Sequence, residues 1–172
     1  MTIMTTPFKL YAKTTPMQRA ALFIKLAAFI KPYFTSLERV VSLNAFISGF
    51  LLTFHVNQGA YLFIPSMGCL SFLYYIHGFY QEEQWKAFKL DLFIFRSSGI
   101  GISITVLALL FTVLHYQGAD VMQISGVLVT GISLIAVLVR QNKNSALQQH
   151  YRAALLRLCI YGSIGMILLI VQ

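Results

Sequence analysis

The sequence predicts an all-α, polytopic membrane protein with an amphipathic N-terminal helix and about five transmembrane helices. Of its 172 residues, 58% are hydrophobic and 10% are charged, whereas about a quarter of a soluble domain is charged. Several apolar runs approach the ~20 residues that an α-helix needs to cross a bilayer. In addition, one element occurs twice, as LLTFHVNQGA in Leu51–Ala60 and as LLFTVLHYQGAD in Leu109–Asp120. Each copy joins two apolar runs, which predicts two pseudo-repeated hairpins.

Residues 1–35 are predicted to form a cytoplasmic tail followed by a helix in the plane of the membrane surface. Residues 17–34 have apolar side chains at helical spacing, but Lys25 and Lys31 interrupt them, so no run is long enough to span. The segment is also basic and hydroxylated, and Glu38 is the first acidic residue. A mitochondrial presequence is therefore the alternative interpretation. Residues 36–172 are predicted to form a single transmembrane domain.

The apolar runs of this domain predict five spans. They cover about residues 40–56, 60–79, 97–116, 121–139 and 153–171. Residues 80–96 form the longest polar connection and are predicted to be a short helix at the membrane interface. Arg157 lies near the start of the fifth span, where its long side chain is expected to reach back to the headgroups. The alternative is that residues 153–171 lie on the surface.

The distribution of basic residues predicts the orientation. Six of the 13 lysines and arginines precede the first span, three lie between the second and third spans, and four lie between Arg140 and Arg157. With alternating spans, all 13 fall on one side. The positive-inside rule places that side and the N-terminus in the cytoplasm. The alternative interpretation, a mitochondrial presequence, would instead place the chain in a mitochondrial inner membrane. Orientation thus explains the net charge of +8, and nucleic acid is not expected as a partner.

Small and polar residues within the spans predict how the helices pack. Helix packing in lipid depends on small side chains that let backbones approach each other. The candidate packing residues are Gly101, Thr105, Gly126, Thr130 and Ser163. Asn44 lies inside the first span and Asp120 is the only acidic residue predicted outside the cell, so both are candidates for a polar transport pathway. For Asp120, the alternative is an N-cap of the fourth span.

Two histidines are the candidate cofactor ligands. His55 and His115 end the first and third spans at the same predicted depth, a geometry that could ligate a haem iron from both sides. The alternative is that each is bonded to the backbone of its turn. No other cofactor, metal site or catalytic residue is predicted, since the chain has no phosphate-binding loop, HExxH motif or nucleophile elbow.

The first hairpin resembles the two-helix repeat of the small YiaA/YiaB-type bacterial inner-membrane proteins. The resemblance rests on Gln58–Tyr61, Gly68 and the Tyr80-Gln81 pair, and it extends more loosely over residues 44–143. His55 and Asn57 stand where the family has a Trp-Asn pair. The resemblance implies a bacterial inner-membrane protein and carries over no catalytic residues.

These observations favour a non-enzymatic membrane protein that acts as a scaffold or as an accessory subunit of a membrane complex. Its expected partners are the lipid bilayer and either a second copy or another membrane protein. A small transporter or channel is the alternative, because repeated hairpins are a common origin of transporter folds. A haem-binding electron carrier that uses His55 and His115 is a further alternative.

Overall fold

A computed structural model describes residues 24–54, 58–79, 89–141 and 148–171. Within these ranges the chain is helical, with turns and no strand. Helix α1 covers residues 24–30 and continues through a 3-10 turn, Lys31–Tyr33, into α2. The long helices are α2 (Phe34–Thr53), α3 (Gln58–Gly78), α4 (Lys89–Val113), α5 (Ala119–Gln141) and α6 (Gln148–Val171). The predicted all-α, multi-pass class is confirmed.

Four of these helices, α3 to α6, are long and apolar enough to cross a membrane. Helix α2 has 20 residues, among them Glu38, Arg39 and Asn44, and is not one of these four. A crossing by α2, which the sequence predicts for residues 40–56, stays a prediction. Helix α6 begins five residues before the predicted fifth span, at Gln148.

The connection between the first two hairpins differs from the prediction. Residues 89–96 belong to the membrane helix α4 and not to a separate interfacial helix. Asp91, which belongs to the predicted interfacial helix, is buried and is paired with Arg140 of α5. The remainder of the predicted interfacial helix, residues 80–88, lies outside the described residues.

Helix α4 is the centre of the bundle. It packs against α3, α5 and α6, while α2 packs mainly against α3. In the most apolar stretch, 61% of α4 is buried, compared with 28% of α5 and 17% of α6. The outer faces of α5 and α6 are therefore the most exposed membrane-facing surfaces of these helices.

The small residues of α4 and α5 allow these two helices to pack closely. A Cβ atom at Gly126 would lie 2.8 Å from the Thr105 hydroxyl oxygen, and one at Gly101 would lie 3.1 Å from the Thr130 nitrogen. The hydroxyl oxygens of Thr105 and Thr130 are 3.2 Å apart. Four of the five candidate packing residues thus lie at an interface within this chain. Ser163, the fifth, is exposed on α6.

The Gln-Gly-Ala elements of the two hairpins have different structures. Helix α3 begins one residue before Gly59, where a Cβ would lie 3.0 Å from the Leu52 nitrogen and the Ser48 carbonyl oxygen of α2. Helix α5 begins one residue after Gly118, which has a φ of 84°. Glycine therefore permits close helix packing in the first hairpin and a left-handed turn in the second.

Candidate functional site

Apart from Asp120, the charged side chains of the described helices gather at one end of the bundle. Glu38 and Asp91 lie near the starts of α2 and α4, and Arg140 lies at the end of α5. Some of the described lysines and arginines lie before α2, and others lie within the first ten residues of α2, α4 or α6. Arg140 lies in the last turn of α5. This charged end agrees with the clustering of basic residues that the sequence predicts. Its side of the membrane is a prediction.

Glu38 is the centre of a polar cluster that joins α2, α3 and α6. Arg157 donates two hydrogen bonds to it, from Nε to Oε1 and from Nη2 to Oε2, each 2.8 Å long. Tyr74 donates a third, from its hydroxyl to Oε1 over 2.5 Å, and the Tyr74 and Tyr161 hydroxyl oxygens are 3.1 Å apart. A bidentate Arg–carboxylate pair has both strength and a fixed geometry. Arg157 therefore binds a carboxylate on another helix, and a contact between Arg157 and the headgroups stays a prediction.

The charge state of Glu38 follows from these contacts. Burial raises the pKa of its carboxyl, but the hydrogen bonds from Arg157 and Tyr74 and the positive charge of Arg157 lower it by more. The net result is a pKa below the usual value of 4.5. Glu38 is therefore ionised at neutral pH, and the cluster contains a true ion pair.

Aromatic rings enclose this ion pair. The Phe34 ring stacks on His77 with centroids 4.2 Å apart, and the Arg157 guanidinium carbon lies 5.1 Å from the centroid of Phe34. The Tyr74 and Tyr161 rings pack edge to face at 5.1 Å. The side chains of Arg157 and Glu38 are 18% and 16% exposed. The pair is thus largely removed from water. Breaking a buried ion pair is costly, because it leaves a charge without a partner.

A second ion pair joins α4, α5 and α6 at the same end. Asp91 is fully buried, and its Oδ1 accepts hydrogen bonds from Arg140 Nε at 2.7 Å and from the Tyr151 hydroxyl at 2.6 Å. The Tyr151 ring stacks on Phe95 with centroids 5.0 Å apart. Asp91 thus takes part in a contact that spans three helices.

A cavity of about 170 Å³ lies beside the first ion pair, between α1, α2, α3, α4 and α6. Its polar lining includes Lys31, His77, His150 and Arg157. The rest is mainly apolar and includes Phe34, Ile76 and Ile102. A site lined by both basic and apolar groups is suited to an anionic amphiphile.

Away from this end, polar side chains bond one helix to the next. The contacts are Asn44 Nδ2 to Ser66 Oγ at 2.8 Å, Ser71 Oγ to Ser103 Oγ at 2.8 Å, Ser133 Oγ to Ser97 Oγ at 3.3 Å and Gln123 Nε2 to the Gly165 carbonyl at 2.7 Å. Together with the threonine pair of α4 and α5, they connect each consecutive pair from α2 to α6. Asn44, a candidate for a transport pathway, is thus one of the groups that hold α2 to α3.

Two further sequence candidates, Asp120 and His115, lie at the opposite end of the bundle. Asp120 is exposed in the first turn of α5, and Gly118 occupies the position before the helix. Asp120 is therefore not the N-cap residue, although a carboxylate in a first turn is favoured by the helix dipole. His115 is exposed with a φ of 54°, and its backbone nitrogen donates to the Thr112 carbonyl at 3.1 Å. His55 lies outside the described residues.

The haem hypothesis for His55 and His115 therefore stays a prediction. Among the described residues, no group of three or more His, Cys, Asp or Glu side chains is arranged to hold a metal ion. Comparisons with protein-family models, with curated proteins and with solved structures found no match. The resemblance to the YiaA/YiaB-type proteins also stays a prediction.

Sequence reasoning missed the two ion pairs. Their members are 119 residues apart for Arg157 and Glu38 and 49 residues apart for Arg140 and Asp91. The available signal was that acidic residues are scarce and that two of them lie next to apolar spans. Such an acid needs a partner, but the partner is decided by which helices meet.

Proposed function

We propose that the chain is a non-enzymatic integral membrane protein that acts as a scaffold or accessory subunit of a membrane complex. The observation that carries the proposal is the use of the interior polar groups. Each consecutive pair from α2 to α6 shares a side-chain hydrogen bond, as in the bonds of Asn44 to Ser66 and of Gln123 to Gly165. Such bonds fix helices against each other in lipid. A bundle held in this way is suited to presenting a rigid surface to another protein.

The surface that supports assembly is the outer face of α5 and α6. A groove of about 420 Å³ runs between these two helices. Its lining includes the small residues Gly131, Cys159, Gly162 and Ser163. Small residues allow the backbone of another transmembrane helix to approach closely. We assign this groove to a helix of a neighbouring subunit, either a second copy or another membrane protein.

Two matched variants test the groove. Gly131 and Gly68 both lie inside helices, and an added Cβ at either would meet no atom within 4 Å. Gly131 lines the groove and Gly68 does not. Gly131→Leu should obstruct the neighbouring helix at a cost of about 1–3 kcal/mol, which is a five- to hundredfold weaker association. Gly68→Leu should leave the association unchanged.

The measurement is native mass spectrometry of the full chain, released from its own membranes in mild detergent. It reports the copy number and any subunit bound in a fixed ratio. The proposal expects an assembly that is less abundant in Gly131→Leu than in the wild type and unchanged in Gly68→Leu. An assembly that is equally abundant in both variants, or a monomer throughout, would contradict it. The alternative of a transporter or channel predicts protein-dependent flux into liposomes, whereas a scaffold produces none.

The proposal includes an orientation: the chain lies in a bacterial inner membrane with its charged end on the cytoplasmic side. It rests on the positive-inside rule and on the basic residues at that end. If α2 and α6 both cross, the C-terminus lies outside the cytoplasm. A reporter fused after Gln172 that is active only outside the cytoplasm should be active, and a reporter that is active only in the cytoplasm would reverse the assignment.

A further inference from the structure

The cavity at the charged end is of a size for a headgroup and not for a whole lipid or cofactor. Its volume of about 170 Å³ is below the roughly 300–1,000 Å³ of sites that enclose drug-sized ligands. Three of its lining residues, Lys31, Thr35 and Ala153, are exposed. The cavity therefore opens at the surface, and a ligand could place a small group inside while the rest stays outside.

The charge of the lining favours an anion. Lys31 and Arg157 both line the cavity, and the second is fixed in position by its two bonds to Glu38. An ammonium group has three donors, so Lys31 can serve a ligand together with other partners. Around the cavity, the described basic residues of this end outnumber its described acids, Glu38 and Asp91. Such a field attracts negative charge.

The surroundings of the opening favour an amphiphile over a soluble anion. Large apolar side chains on the segments beside Lys31 are exposed: Phe29 is 73%, Tyr33 61% and Leu37 39% exposed. The inner wall includes Phe34 and Ile30. Exposed apolar groups on the helical segments that line a basic cavity are suited to the acyl chains of a lipid whose headgroup is inside.

We propose that this cavity binds the phosphate headgroup of an anionic phospholipid, with the acyl chains lying outside against α1 and α2. Basic pockets between transmembrane helices at the charged membrane face are known to take such headgroups. The bound lipid joins the 3-10 turn between α1 and α2 to α6 through Lys31 and Arg157, and it adds a ligand-dependent contact to the end of the bundle. This role is independent of the groove between α5 and α6.

Two pairs of matched variants test the site without touching the ion pair. Lys31→Gln removes a basic group from the cavity, whereas Lys25→Gln removes one from the neighbouring helix outside it. Ala153→Phe fills the mouth without a change in charge, and Leu156→Phe enlarges an exposed side chain of the same helix elsewhere. All four side chains are exposed, so each variant should fold.

The full chain is reconstituted with phosphatidylglycerol or phosphatidylcholine, and retained lipid is counted by native mass spectrometry. The wild type, Lys25→Gln and Leu156→Phe should retain one phosphatidylglycerol. Lys31→Gln should bind it about fivefold more weakly, the effect of one basic side chain near an anionic lipid, and Ala153→Phe should lose it. Equal retention of phosphatidylcholine, equal loss in the two controls, or displacement of the lipid by excess inorganic phosphate would overturn the proposal.

Discussion

Removal of either member of the Glu38–Arg157 pair should destabilise the bundle, and removal of both should cost little more than removal of one. Glu38→Gln leaves the Arg157 guanidinium, which is 18% exposed, without a carboxylate. Arg157→Gln leaves the Glu38 carboxylate, 16% exposed, with only the hydrogen bond from Tyr74 among the contacts described above. In both variants an ion that is largely removed from water loses its partner.

The size of the effect follows from this burial. Breaking a fully buried ion pair by removing one partner costs about 3–5 kcal/mol. Because some water reaches both Glu38 and Arg157, we expect the lower end, about 3 kcal/mol, for each single variant. The double variant Glu38→Gln/Arg157→Gln has no unpaired charge and should also cost about 3 kcal/mol. The interaction energy of the cycle is then about 3 kcal/mol, at the upper end for residues in direct contact.

The assay is reversible unfolding of the purified chain in mixed micelles of mild detergent and dodecyl sulfate, followed by circular dichroism. All four proteins of the cycle are measured under the same conditions, with Lys25→Gln as a control for loss of an exposed charge at the same end. If the two single costs add to within about 0.5 kcal/mol, the residues do not interact in the membrane, and the arrangement of α2 against α6 is wrong.

Two further predictions concern pH and the first hairpin. Because hydrogen bonds keep the pKa of Glu38 below 4.5, its stabilisation is present above that pH and is lost as the pH falls through the lower folded value. The stability difference between wild type and Glu38→Gln should therefore shrink below about pH 4.5, and a constant difference would exclude the charge as its source. Gly59→Ala should destabilise by about 1–3 kcal/mol, because its Cβ would lie 3.0 Å from backbone atoms of α2. Gly68→Ala, at an open helical position, should instead stabilise by about 0.5–1 kcal/mol, and effects of the same sign in the two variants would refute this interpretation.

The sequence by itself determined the fold class and the approximate helices. Apolar runs of about 20 residues specify membrane helices wherever they occur, because lipid leaves the backbone no other way to satisfy its hydrogen bonds. Runs of this kind predicted α3, α5 and α6. Gly101 and Gly126, which the sequence offers as small residues within spans, lie where α4 and α5 meet. The concentration of described basic residues at one end also follows from the order of spans along the chain.

Tertiary structure decided which polar groups meet. The hydropathy of Asp91 and Arg157 predicts a place near water or headgroups, but each is held inside by a partner on another helix. The predicted spans exclude charged residues because an unpaired charge in the membrane costs free energy. Pairing offsets this cost, and α4, which contains Asp91, begins at Lys89 and not at residue 97. Likewise, the same Gly-Ala pair packs inside a helix at Gly59 and forms a turn at Gly118. A local pattern contains no information about the neighbour that makes these differences, because the neighbour comes from a distant part of the chain.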